Sequence, residues 1–178
     1  MVMSADHVAS LQLRLAERGA DWCVVGGWGV DALLGHQTRE HKDLDVLLPA
    51  TALQTSMTLL AEAGFDFAYR WPESRDLPGH HPLLGEPIPS AFVVTHADGW
   101  EIDVHVDDLT DNGVSILWGT VRTLAPGDLA ATGSVAGMPV RCMTAAMQMT
   151  CHEGYELPPA HAADVRLLAQ HLQERPER

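Results

Sequence analysis

Asp43 and Asp45 are the residues whose type and spacing most directly suggest chemistry. Carboxylates one residue apart on a β-strand project to the same face, because strand side chains alternate with a period of two. Leu44, Val46 and Leu48 then fall on the opposite, apolar face. Two like charges held side by side repel, and a divalent cation carrying a nucleoside triphosphate is the natural counter-charge. Arg39, His41 and Lys42 lie immediately upstream, so groups that bind phosphate and groups that hold a cation share one short segment. Asp103 offers a third carboxylate, with Glu101 and His105 on its own face and Ile102 and Val104 on the other. Were that strand to lie beside the first, the three acids would share a patch. Two metal ions about 3.5–4 Å apart suit in-line phosphoryl chemistry. A third acid can instead accept the proton of an attacking hydroxyl. Acids on an exposed edge strand can also serve only to deter aggregation, and His105 reads equally as a hydrogen-bonded or surface histidine.

The elements that must position these groups are legible in outline. Trp22–Val25 reads as a short buried strand ending at Gly26-Gly27, and Trp28–Leu34 as a helix closed by Gly35. A glycine pair between a strand and a helix lets backbone N–H groups approach a phosphate that the helix dipole favours; a tight turn is its other reading. Val8, Leu11 and Leu15 mark a first helix over residues 5–18. Asp43–Leu48 is the acid-bearing strand, halted by Pro49. Leu53, Met57 and Leu60 mark a helix ending at Gly64, and Phe65–Arg70 a strand. Trp71–Pro89 holds five prolines and reads as a long ordered loop, either a lid or a connection. Ala91–Ala97 and Trp100–Val106 flank Asp98-Gly99, a two-residue hairpin signal. Residues 107–133 are loop-rich and unassigned, and Ala136-Gly137 suggests a second hairpin. Met143, Met147 and Cys151 define a helix stopping near Gly154; Val165, Leu168 and Leu172 define the last one, and residues 173–178 are expected to fray. The order predicts an α/β (α+β) fold with a mixed sheet, one domain over residues 1–178, and a helical C-terminal segment at about 143–172.

Composition narrows the function classes. A formal charge of −13 argues against a broad nucleic-acid interface and favours a cationic small molecule, with solubility as the plainer explanation. No apolar run reaches the ~20 residues of a membrane span. The first residues lack a charged and apolar leader pattern, so no secretory signal is expected. Cys23, Cys142 and Cys151 lack metal-type spacing and read as reduced thiols of a cytoplasmic protein. Neither G-x-G-x-x-G nor a Walker A motif occurs. His80-His81 lacks a zinc pattern and reads as solvated loop. Trp22, Trp28, Trp118 and the methionines at 143, 147 and 149 read as packing residues, whereas Trp71 and Trp100 could border an acceptor pocket.

The stretch Gly26-Gly27-Trp28-Gly29-Val30-Asp31-Ala32-Leu33-Leu34-Gly35, continuing through Thr38-Arg39-Glu40-His41-Lys42-Asp43-Leu44-Asp45, resembles the nucleotidyltransferase superfamily that includes DNA polymerase β. Within it, the chain is similar to the small lincosamide and aminoglycoside 2''-nucleotidyltransferases. Trp71-Pro72-Glu73-Ser74-Arg75, Glu101-Ile102-Asp103-Val104-His105 and Gly154-Tyr155-Glu156-Leu157 resemble the lincosamide group, and Pro139-Val140-Arg141-Cys142 the aminoglycoside group. The resemblance implies a short mixed sheet with helices mainly on one side and a small helical C-terminal part. It implies transfer of a nucleoside monophosphate, AMP by expectation, from a triphosphate (ATP) with Mg2+ to a hydroxyl of a small antibiotic. Asp43 and Asp45 would bind metal, Asp103 would act as base or further metal ligand, and Gly26 and Gly27 would border the triphosphate. Arg39 and His41 would contact the nucleotide or support the site. Pro158-Pro159-Ala160-His161 departs from the Lys-His pair of the aminoglycoside group, leaving Arg166 or His161 to stand in for that lysine. A homodimer completing the acceptor pocket is implied by analogy alone. The competing readings are a toxin-type enzyme acting on RNA or protein, and a non-catalytic nucleotide-binding protein.

Overall fold

The computed structural model describes residues 2–20, 22–107, 114–117 and 120–174. Trp118 and the last four of the residues expected to fray lie outside them.

Helix α1 (Ala5–Glu17) buries Val8, Leu11 and Leu15, and the Ser4 hydroxyl caps it by accepting from the His7 N–H. Strand β1 (Cys23–Val25) runs directly into α2 (Gly26–Leu34), which starts at the glycine pair rather than at Trp28. Gly35, at φ 77°, ends α2 in the left-handed conformation that glycine adopts without cost. Strand β2 (Leu44–Pro49) takes in Pro49 as its last residue, where a missing N–H is tolerated. Asp43 sits in the bend just before β2. Helix α3 (Leu53–Glu62) and strand β3 (Phe65–Arg70) follow.

The Trp71–Pro89 stretch is more regular than its prolines suggest: β4 (Asp76–Leu77) and β5 (Ile88–Pro89) pair antiparallel within it. β6 (Ala91–His96) and β7 (Glu101–Asp107) form the expected hairpin, but four residues, Ala97 to Trp100, connect them. Gly99 takes φ 78° there, the left-handed conformation that favours glycine, and its N–H donates to His96 O at 2.8 Å. The unassigned 107–133 segment contains the paired strands β8 (Val114–Leu117) and β9 (Thr120–Thr123). β10 (Ala131–Val135) and β11 (Met138–Cys142) then turn through Ala136 and Gly137, both at positive φ, which matches the twist of a hairpin. Helices α4 (Ala145–Cys151) and α5 (Pro159–Glu174) complete the order. α5 begins before its apolar stripe, with Pro159 at the first helical position where no N–H is needed.

Seven strands form one mixed sheet in the order β10-β11-β1-β2-β7-β6-β3. Strands β1 and β2 are antiparallel, whereas β2 and β7 are parallel. Alternation divides the residues between two faces. Val24, Leu44, Val46, Leu48, Ile102 and Val104 pack with residues of α1, α2 and α3 into the main core. Trp22 and Trp28 are buried there as expected, and the Trp22 indole donates to the Ser56 hydroxyl at 2.8 Å. On the other face, Cys23, Val25 and Leu47 are covered by Leu124, Leu129, Met143 and Met147. Leu168 attaches α5 to Val30 and Ala145. The result is a mixed α/β fold, and no described helix is long and apolar enough to cross a membrane.

Candidate active site

Parallel pairing of β2 with β7 sets Asp45 directly beside Asp103. The two carboxylates share the face opposite Val46 and Val104, and Asp43 precedes them from the bend. Burial, followed by repulsion from Asp43 and Asp103, pushes the Asp45 carboxyl well above the usual carboxylate range, and Arg39 opposes this only in part. A buried acid repelled from two sides is the electrostatic environment a cation would relieve. Among the described residues no group of three His, Cys, Asp or Glu side chains forms a ready-made metal cage. Magnesium is usually held by one or two carboxylates together with water and substrate phosphates, so the donor set at positions 43 and 45 fits it.

A cavity of about 410 Å³ opens over Asp43 and Asp45 at the start of α2. No side chain caps this helix, since its N-cap residue is Val25. Its first N–H groups therefore lack the partner a Ser or Asp cap would supply, and the helix dipole favours an anion there. Both glycines are sterically required. A Cβ on Gly26, which lies at φ 59°, would sit 2.1 Å from Asp45 Oδ2. One on Gly27 would sit 2.4 Å from His41 Nδ1 and 2.6 Å from Arg39 Nη2.

The loop from α2 to β2 is fixed from beneath by Asp31. This buried carboxylate bonds the His41 Nε2–H and accepts from the Thr38 N–H at 3.0 Å and the Thr38 hydroxyl at 2.6 Å. His41 is 2% exposed, with its ring 4.6 Å from that of Trp28, so its main visible role is support for the glycine turn. Arg39 is clamped by Asp164 of α5 through contacts of 2.8 and 3.4 Å, and this partner holds the guanidinium firmly charged. Arg39 and Lys42 both border the cavity.

The opposite wall comes from α4, α5 and the link between them. His161 bonds the Tyr155 hydroxyl at 2.9 Å and meets His152 edge-on at 5.2 Å. Burial, then the neighbouring His152, lowers the pKa of His161. Of the two replacements considered for the absent lysine, His161 borders the cavity, whereas Arg166 is exposed and stands outside it.

Asp103 itself is not among the residues lining the cavity, and its contacts are with Trp71 and His105. Its Oδ1 accepts the Trp71 indole N–H at 2.8 Å and lies 3.3 Å from His105 Nε2. Tyr69 packs edge-on against Trp71, with ring centres 5.3 Å apart. Its phenol pKa is raised by burial and then by Asp103, Glu101 and Asp43. The acids thus separate a cavity over α2 from a surface lined by Trp71 and Tyr69. Trp100 lies elsewhere, between His7 and His96. His81 is not solvated as expected: it is 5% exposed, and its Nδ1 accepts the Leu83 N–H at 3.1 Å.

Sequence reading missed Asp31 and Asp164. Each sits on a buried helical stripe, Asp31 three residues after Trp28 and Asp164 four before Leu168. An acid on an apolar stripe is the signal that could have found them, because a buried charge demands a partner.

Residues 7–168 match the aminoglycoside-2''-adenylyltransferase family. A lincosamide resistance protein of Staphylococcus haemolyticus is 26% identical over 146 residues, which cover 80% of each chain. The structure of a lincomycin-bound lincosamide antibiotic adenylyltransferase aligns with a TM-score of 0.74 at 21% identity, covering 96% of this chain and 99% of that one. ANT(2")-Ia in complex with adenylyl-2"-tobramycin aligns with a TM-score of 0.68 at 21% identity, covering 94% and 88%. At these identities the structural likeness speaks for the fold.

Proposed function

We propose, for a chain that belongs to the aminoglycoside-2''-adenylyltransferase family, transfer of AMP from ATP to a hydroxyl of a small lincosamide or aminoglycoside antibiotic. The family is one of nucleotidyltransferases, and this chain is such an enzyme. The observation that carries the finer reading is the pairing of Asp45, which lines a cavity headed by an uncapped helix, with Asp103 on the neighbouring strand.

In this reading the triphosphate lies in the cavity, with the Gly26 and Gly27 N–H groups and the α2 dipole toward its phosphates. Arg39 and Lys42 add positive charge, and Asp164 and Asp31 keep that loop in place. Asp43 and Asp45 would hold magnesium, whose charge neutralises the phosphates and the charge developing at the reacting phosphorus. Asp103 takes the proton of the acceptor hydroxyl as its oxygen bonds the α-phosphorus, and pyrophosphate leaves; a second role for Asp103 is as a further ligand. Positioning and electrostatics do most of the work. The acceptor approaches from the Trp71 and Tyr69 side. A net charge of −13 suits an amine-bearing drug, and relatives bound to lincomycin and to adenylyl-2"-tobramycin support both acceptor classes. The chain works as one cytoplasmic domain.

The test is incubation with each nucleoside triphosphate, magnesium and a panel of lincosamides and aminoglycosides. Pyrophosphate release together with a drug heavier by one nucleoside monophosphate is the expected result. Label on RNA or protein, or triphosphate binding without turnover of any drug, overturns it.

A further inference from the structure

We infer that Trp71 is a positioning residue for the third acid, holding one oxygen of Asp103 so that the other faces the acceptor hydroxyl. This rests on the nucleotidyl-transfer reading above. The indole N–H donates to Asp103 Oδ1 at 2.8 Å, across 32 residues of sequence. His105 Nε2 approaches the same oxygen at 3.3 Å, and His105 is 2% exposed. The indole therefore holds Oδ1, with the His105 ring beside it, which leaves Oδ2 to take the proton as the acceptor oxygen bonds phosphorus and pyrophosphate departs. A carboxylate with one oxygen pinned has fewer rotamers, and orientation of a base is worth much of its effect.

Trp71 does not owe its place to this bond. Its own N–H donates to Ala91 O at 3.1 Å, and its carbonyl accepts the Ser74 N–H at 3.0 Å. Ser74 Oγ accepts the Ala91 N–H at 3.0 Å, and Ser90 Oγ accepts the Arg75 N–H at 2.9 Å. The β3 exit is thus tied to the strand beside β7 by a main-chain bond and two serine hydroxyls, and the edge-on contact with Tyr69 sets the ring. A scaffold built independently of the acid, presenting one donor to it, is how a supporting group orients a reacting one.

W71F keeps the ring and removes the donor, and W71H restores a ring N–H. With the drug acceptor that turns over, W71F is expected to lower kcat about 10–100-fold. KM for the triphosphate and the melting temperature stay near wild-type values, and W71H recovers part of the loss. In a double-mutant cycle, W71F costs nothing further once D103N is present. An unchanged kcat in W71F, a change confined to KM, or an equal loss in the D103N background overturns the role. A second readout needs no turnover. In protein carrying isotope-labelled tryptophan, the indole N–H resonance lost in W71F is expected to shift in D103N, and an unshifted resonance overturns the contact. Wild-type protein that turns over no drug overturns the transfer reading and the role with it, so the two failures are distinct.

Discussion

Position 45 carries a conflict between folding and chemistry. Its carboxylate is buried and repelled by Asp43 and Asp103, which raises its pKa and makes its charge a cost to the folded state at neutral pH. Asp45→Asn removes that charge at nearly constant volume. The variant should melt at or above the wild-type temperature in metal-free buffer while kcat falls about 10²–10³-fold. Magnesium should raise the melting temperature of the wild type and leave the variant where it was, because a ligand stabilises only the state that binds it. Calorimetry with and without the metal checks both. The neighbouring glycine pair was legible as a strand–helix turn, but the contacts that forbid a side chain there were not. Those contacts come from Asp45, His41 and Arg39, residues at least twelve positions away.

The element that governs the site is the loop between α2 and β2. It contains no regular structure of its own and is shaped by Asp31 below and Asp164 beside it. Asp31→Asn loses the charged acceptor that bonds His41 and Thr38, and hydrogen bonds to a charged group are worth about 1.5–3 kcal/mol. Denaturant unfolding should show that loss, and KM for the triphosphate should rise more than kcat falls, since Arg39 and Lys42 lose their setting. The long connection after β3 offers a pH test. Burial, then the charge of His80, lowers the pKa of His81. An unfolded histidine titrates near ~6.5, so the unfolded chain takes up the proton first as pH falls. Stability is complete above that value and declines below it toward the lowered folded pKa. Protonation of Nδ1 would also break the bond from Leu83 N–H. His81→Asn should flatten the acid limb of unfolding free energy measured between neutral pH and the mid-fives.

At the scale of the whole molecule, a net charge of −13 makes long-range attraction for a cationic acceptor and repulsion for a triphosphate. Salt screens both. KM for an amine-bearing drug should therefore rise with ionic strength while kcat stays level, and a neutral acceptor analogue should show no such trend. Steady-state kinetics across a salt series at fixed magnesium checks this. Much of the architecture was open to reading from local pattern alone. Apolar spacing identified α1, α3 and α5, period-two alternation identified β2 and β7, and the acids at 43, 45 and 103 stood out by type. These signals are local because side-chain direction along a helix or strand follows from backbone geometry. Strand neighbours, by contrast, are chosen by the packing of the whole sheet, and no periodicity records them. Only the tertiary structure set Asp45 beside Asp103, brought Trp71 to that acid, and carried Asp164 across 125 residues to Arg39. The chain itself determined which groups could do the chemistry and which way each points from its own element; the register of β2 against β7 and the docking of α5 decided which of them meet, because contacts between distant segments are fixed by burial of shared apolar faces.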